Sequence, residues 1–359
     1  MLKQHEWDSV LDNIQSGSTI VCLGAEIFAQ ADKSLDQQLL QQLAGLENVH
    51  VYADGLFHFR GSADMTSFTK IKQFYNRDFP GLNPLLEKLA ALRVPVFINA
   101  SPDLQLRRTF ERLGRPHQYG IHYKNKPAAD LAAPTASEPL VYNFLGDIEH
   151  RESVVLTHGD LFEFLESLME GKSISRLIRE RINAAYNFIF IGLPFGKWYM
   201  KVLLHFLQKG ANDKALKFAA NEAFDNDVQA FVVDQFQITC VPVHIAAFVD
   251  ELYQRCADAG LLRTVESTPQ LSTYQRWTKM VQNDELSDLL SEMITYFSKN
   301  RPEDVDSQNQ LLLLSGRLTN LKSTINKGIV STADASLQRN QIRDSLIQFM
   351  HETVRPIDL

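Results

Sequence analysis

Between residues 18 and 255, short runs of nearly continuous apolar residues alternate with stretches whose apolar positions recur every three or four. The runs fall at 19–23 (TIVCL), 95–99 (PVFIN), 140–144 (LVYNF), 153–156 (SVVL), 187–192 (NFIFIG), 216–220 (LKFAA) and 238–242 (ITCVP). Runs so short and so apolar predict strands covered on both faces. Helical periodicity predicts helices over 84–92, 104–113, 161–169 and 198–207. Alternation on this scale implies an α/β fold, a Rossmann-like doubly wound parallel sheet. Residues 45–80 break the rhythm. They carry Tyr52, Phe57, Phe59, Phe68, Phe74, Tyr75 and Phe79 and are read as an inserted subdomain over the sheet edge.

Past residue 265 the pattern changes to helix alone. Residues 265–272 (VESTPQLS) are polar and hold Pro269, which predicts a linker. Leu286, Leu289, Leu290, Met293, Ile294 and Phe297 share one helical face, and 301–308 (RPEDVDSQ) reads as a charged loop. Leu311, Leu314, Leu318, Leu321 and Ile325 form a second stripe. Gly328 supplies a left-handed stop, and Ser331 with Asp334 a capping-box start for a last stripe of Ala335, Ile342, Leu346 and Phe349. The expectation is two domains: 1–265, and a small all-α helical bundle over 272–359. A core that small suits holding a partner better than catalysis.

Composition narrows the function classes. The chain has 359 residues, long enough for two domains, with 45% apolar and 22% charged residues. A net charge of −7 leaves no basic surface to displace the counterions of a nucleic acid, so none is expected as partner. Cys22, Cys240 and Cys256 are odd in number and widely spaced, which excludes a Cys₄ zinc site and fits a reducing compartment. No metal site is expected. The polar start MLKQHEWDSVLDNIQSG lacks a signal-peptide core, and no run nears the ~18 apolar residues of a membrane span. A cytoplasmic protein is expected.

Ligands of doubly wound folds bind at the carboxyl ends of the strands. The residues there are Gly24, Ala25 and Glu26; Asn99, Ser101 and Asp103; Leu145 and Gly146; and Gly192 with Leu193 and Pro194. Gly24 suits a close backbone approach to a phosphate and serves equally as a plain turn glycine. Ser101 and Asp103 offer hydroxyl or amide recognition, or simply cap the next helix. His158-Gly159 follows the 153–156 run and is read as capping or surface. No nucleophile-elbow pattern supports a Ser/His/Asp hydrolase.

In order, the blocks Gly24-Ala25-Glu26, Asn99 with Ser101 and Asp103, Leu145-Gly146, 153–160 (SVVLTHGD), Gly192 and 238–243 resemble the sirtuin-like fold, in the divergent branch used by bacterial defence proteins. The resemblance spans 18–255. It implies a pocket for NAD or an ADP-ribose derivative, bound by Gly24, Ala25, Glu26, Asn99, Ser101, Asp103, Gly146 and Gly192. Asn99 and Asp103 are the remaining catalytic candidates. That branch has a His, the general base, where this chain has Leu145, and losing a general base typically costs roughly 10²–10⁴ in rate. Glu26 stands where the branch has Gly, and the hydroxyl-bearing turn is replaced by Leu193-Pro194. Paired cysteines of a deacetylase zinc module are absent.

The final 50 residues or so, with "LSGRLTNLK", "GIVS" and "RNQIRDSLIQF", resemble the effector-associated domains of conflict systems, small death-fold-like adaptors that couple proteins by self-type pairing. The resemblance implies a cognate domain on another protein or a second copy as partner, and a homo-oligomer, with Arg317, Lys322, Arg339 and Arg343 as contacts. The combined expectation is an effector or adaptor with a degenerate nucleotide pocket. Two alternatives stay open at this point: an NAD glycohydrolase that depletes NAD on assembly, and a structural self-assembling protein.

Overall fold

The computed structural model describes residues 2–354 except 30–32, 44–47, 61–63, 127–130, 171–173, 211, 222–223, 264–272, 283–285 and 327–331. The chain divides into two compact units, Met1–Thr264 and Val265–Leu359. The predicted linker at 265–272, Gly328 and Ser331 lie outside the described residues.

The strands of the first unit are β1 (Thr19–Leu23), β2 (Val49–Val51), β3 (Phe57–Phe59), β4 (Val96–Asn99), β5 (Gln118–Ile121), β6 (Leu140–Asn143), β7 (Asn187–Ile191), β8 (Leu216–Asn221) and β9 (Thr239–Pro242). Seven form one sheet in the order β5-β6-β4-β1-β7-β8-β9, every neighbour parallel; β2 and β3 form a separate antiparallel hairpin. The helices are α1 (Gln4–Gln15), α2 (Leu35–Leu43), α3 (Asp64–Asn76), α4 (Asn83–Ala91), α5 (Gln105–Arg112), α6 (His158–Glu170), α7 (Arg176–Ala184), α8 (Trp198–Gly210), α9 (Asn226–Phe236) and α10 (Ile245–Asp258).

The apolar runs are explained by a core on each face of the sheet. Along β1, Val21 and Leu23 pack with Trp7 of α1, Leu89 of α4, Phe110 of α5 and Leu252 of α10. Ile20 and Cys22 pack with Phe164 of α6, Ile182 of α7, Leu203 of α8 and Val232 of α9. Period-two alternation thus feeds two separate cores, which is why no polar residue interrupts the run. This is a Rossmann-like fold with helices on both faces.

Three expectations need correction. Residues 153–156 are not a strand: Val155 N–H donates to Leu145 O at 3.1 Å and Leu156 O accepts from Phe57 N–H at 2.8 Å, single bonds to a loop and the hairpin rather than a ladder. The apolar run arises because Val154, Val155 and Leu156 are buried there. The missing sheet strand is β5, a half-buried edge strand (QYGI) whose glycine and polar first residue hide it. Finally, the insertion is hairpin β2–β3 plus α3, and the hairpin's turn lies over the carboxyl ends of β1 and β7 in mid-sheet, not over an edge.

The second unit contains α11 (Thr273–Gln282), α12 (Leu286–Asn300), α13 (Val305–Asn326), α14 (Thr332–Phe349) and a π-helical turn, Met350–Val354. Its core holds Trp277, Leu289, Met293, Phe297, Leu311, Leu314, Leu318, Leu321, Ile342, Leu346 and Phe349, while Ala335 is half-buried. The charged loop is shorter than 301–308. Asp304 ends it by capping α13, its Oδ1 accepting from Ser307 N–H at 3.1 Å. Among the described residues, no helix is long and apolar enough to cross a membrane.

Candidate functional site at the carboxyl ends of the sheet

The chain leaves β1 toward β4 on one side and resumes with β7 on the other, so the strand order reverses between β1 and β7. In doubly wound folds that reversal opens the ligand crevice. Here the two loops that would wall the crevice touch. Gly24 N–H donates to Ile191 O at 3.0 Å, and Glu26 N–H donates to Gly192 O at 2.9 Å. A Cβ on Gly24 would sit 2.4 Å from Gly192 O, and one on Gly192 (φ +64°) would sit 2.6 Å from Ile27 N. Both glycines therefore serve backbone-to-backbone contact. Ala25 and Glu26 lie in a single 3-10 turn, Ala25–Phe28, which offers a phosphate far less than the first turn of a long helix.

Charge at this point is also adverse to an anion. A cleft of about 480 Å³ is lined by Glu26, Asp36, Asp54, Lys197 and Trp198, among others. The ammonium of Lys197 is already paired with Asp36 at 2.5 Å. Glu26 Oε2 accepts from Asn221 Nδ2 at 2.7 Å. Burial pushes the Glu26 carboxyl up to about 7, although Lys197 and Asn221 pull it back. A second cleft of about 560 Å³ lies on the other side of Glu26, with Lys88, Asn221, His244 and Asp250 in its wall.

The turn of hairpin β2–β3 roofs the first cleft. Asp54 Oδ2 accepts from Trp198 Nε1 at 3.0 Å and meets His158 Nε2 at 3.1 Å. Burial opposes ionisation of Asp54, but Trp198, the Leu56 amide and His158 together hold its carboxyl below the usual range. Gly55 (φ +83°) lies so close over the Lys197–Asp36 pair that a Cβ would be 2.7 Å from both. His158, read from sequence as a capping or surface residue, is thus a half-buried partner of the roof.

Asn99, Ser101 and Asp103 form a polar knot with Asn143 at the ends of β4 and β6, in which the buried Ser101 hydroxyl has no hydrogen-bond partner among the described residues. Asn99 Nδ2 donates to Asp103 O at 3.1 Å, and Asn99 Oδ1 accepts from Ser101 N–H at 3.2 Å. Asn143 Nδ2 donates to Asp103 O at 2.9 Å, and Asp103 Oδ1 accepts from Gln105 N–H at 2.9 Å. Asn99, Ser101, Asp103 and Asn143 are all buried. Burial raises the Asp103 carboxyl against the pull of the Gln105 amide. Leu145 is buried, and Gly146 (φ +83°) lets its turn close on Ser153, whose O would be 2.2 Å from a Cβ there. His122 packs between Phe144 and Phe164, where burial pushes it down to about 4 and keeps it neutral at pH 7.

The structure thus brings Gly24 to Gly192 and Asn99 to Ser101 and Asp103. Sequence reasoning missed Asp36, Asp54, Asn143, Lys197, Trp198 and Asn221. The Asp54-Gly55 dipeptide between aromatic runs is a hairpin signal that would have placed one of them. In the second unit Arg317 is exposed, Arg339 and Arg343 are half-buried, and Arg343 Nη1 donates to Asn340 Oδ1 at 3.3 Å. The Lys322 side chain lies outside the described residues. Among those residues no group of three or more His, Cys, Asp or Glu side chains is placed to hold a metal ion.

Comparison with known families fits this architecture. Residues 95–237 match the model of the SIR2-like domain, and residues 272–353 match Effector-associated domain 11. The chain joins a SIR2-like domain to an effector-associated domain. The SIR2-like match begins at β4, so Gly24, Ala25 and Glu26 stand ahead of it. A solved structure described as "Structural Basis for the Mechanism and Regulation of Sir2 Enzymes" aligns with 72% of this chain and 99% of its own at 11% identity, with a TM-score of 0.37. At that score the likeness adds nothing to what the sheet order establishes. No curated protein matches the chain.

Proposed function

We propose that this chain is an adaptor of a bacterial conflict system, of the anti-phage kind, whose SIR2-like unit no longer processes NAD and whose effector-associated unit recruits a partner. The pairing of the two domains supports the conflict-system assignment. The observation that carries the pocket reading is the closure at the β1–β7 reversal. Gly24 and Gly192 are in backbone contact, and among the described lining residues Lys197 is spent on Asp36, leaving Asp54 and the partly ionised Glu26 facing an incoming anion. A dinucleotide brings two negative phosphates to that point. Desolvating them beside carboxylates carries a large cost, and among the described residues Lys197, Trp198 and Asn221 are already engaged with Asp36, Asp54 and Glu26. The residues present do not fit NAD, and Leu145 offers no proton acceptor. The test is calorimetry and nicotinamide release with the full chain at about 1 mM NAD or ADP-ribose. The expected outcome is neither binding heat nor turnover. Nicotinamide release above background would overturn the reading in favour of an NAD glycohydrolase.

A further inference from the structure

The effector-associated unit carries an apolar face that its own core does not use. On α13 the buried stripe is Leu311, Leu314, Leu318 and Leu321. At about 100° per residue, Val305, Leu312, Leu313 and Gly316 fall together on roughly the opposite side. Val305 is 57% exposed, Leu312 55% and Leu313 66%. A Cβ added at Gly316 would meet nothing within 4 Å, so intrachain packing does not require glycine there. A glycine in an exposed helix interior is nonetheless costly relative to alanine. The face thus has three projecting apolar side chains and one hole, with the exposed Asn309 among them at roughly 40°.

The charges beside this face are complementary to themselves. Asp306 and Arg317 lie on the same flank of the stripe, at roughly 100° and 120° when Val305 is at zero. Both are exposed, and neither has an ion-pair partner among the described residues. They stand about 16 Å apart along the helix, the acid toward the N-terminus and the base toward the C-terminus. A two-fold axis across two antiparallel helices keeps each flank on its own side and reverses its direction. Each Asp306 then faces the Arg317 of the other helix. The same operation places Leu312 near the axis against its own copy and brings Val305 within about 3 Å, axially, of the hole at Gly316. Charge, knob and hole are satisfied by one symmetry operation.

We propose that α13 pairs antiparallel with α13 of a second copy of this chain through Val305, Leu312, Leu313 and Gly316, flanked by two Asp306–Arg317 ion pairs. This pairing deepens the recruitment reading above and rests on it. One helix face is well below the ~800 Å² per partner of a stable complex, so the dimer is weak and concentration-dependent. A weak self-contact suits an adaptor that exchanges or multiplies partners.

Sedimentation velocity of the full chain from about 10 to 500 µM tests the proposal, with circular dichroism confirming that each variant folds. Wild type should shift from monomer to dimer across this range, and Leu312→Glu should stay monomeric. Asp306→Arg alone and Arg317→Glu alone should each weaken dimerisation roughly five- to tenfold, because each turns two attractions into repulsions. Mixing those two single variants should restore association, since in the mixed pair every contact is again opposite in sign. A wild type that is monomeric throughout, a Leu312→Glu protein that still dimerises, or a mixture no stronger than its parents would each overturn the pairing. The nucleotide measurements above stand or fall independently of all three outcomes.

Discussion

Glu26 is the residue on which both the charge and the stability of the crevice turn. Its folded carboxyl titrates near 7 against an ordinary 4.5, chiefly through burial. A raised acid pKa stabilises the fold fully below the unfolded value, and that contribution is lost as pH rises through the folded one. Between about pH 4.5 and 7 the fold therefore loses on the order of 3 kcal/mol of this contribution. Glu26→Gln removes the titration, so thermal melts should show the variant gaining on wild type at pH 8 and matching it near pH 4.5. A variant without any gain at pH 8 would show that Lys197 already compensates the buried charge. Gly24 gives a second residue-level expectation. Gly24→Ala must push Gly192 and Leu193 apart, costing roughly 1–3 kcal/mol in urea unfolding. Gly159→Ala, whose Cβ would meet only Thr157 Oγ1 at 3.6 Å, serves as the tolerant control.

At the scale of elements, what the sequence made legible follows from how each element is buried. Strands with a core on both faces, such as β1 and β7, announce themselves as unbroken apolar runs. The same rule misplaces residues 153–156, because a buried loop beside the hairpin is as apolar as a strand and differs only in its hydrogen bonds. Strand β5 escapes because a half-buried edge has no reason to be apolar. The grouping of the candidate site residues was legible in part for a related reason. Asn99, Ser101 and Asp103 are close in sequence and fold into one knot, whereas Asp36, Asp54, Lys197 and Asn221 come from four separate segments that only the tertiary structure unites. The knot itself yields a test. Asn99 bonds Asp103, Asn143 and the Ser101 amide together, so Asn99→Ala should strand the Ser101 amide and free Asn143. A destabilisation of roughly 1–3 kcal/mol is expected. An Asn99→Ala protein as stable as wild type, with altered nucleotide binding, would instead mark Asn99 as a ligand contact.

Across the whole molecule, the two units differ in what holds them. The first unit builds two cores on one sheet, and its helices are stabilised by contacts far apart in sequence, as when Trp7 stacks on Phe248 at 5.6 Å. The second unit builds its core from four consecutive helices. Phe297 of α12 meets Phe349 of α14 at 5.5 Å, and Trp277 of α11 donates its indole N–H to Glu292 of α12 at 2.9 Å. Every one of those contacts lies inside the second unit, as does all of the core around Leu289, Met293, Leu311 and Leu346. Helical units of about this size are near the lower limit for independent folding, and this one has large aromatic side chains fully buried to help it. Residues 265–359 expressed alone should therefore be helical and melt cooperatively. Leu346→Ala, which empties a fully buried position, should cost them about 2–5 kcal/mol. In the full chain the same substitution should lower only the transition that tracks the second unit. A Leu346→Ala chain whose α/β unit melts earlier by the same amount would show that the two units unfold as one.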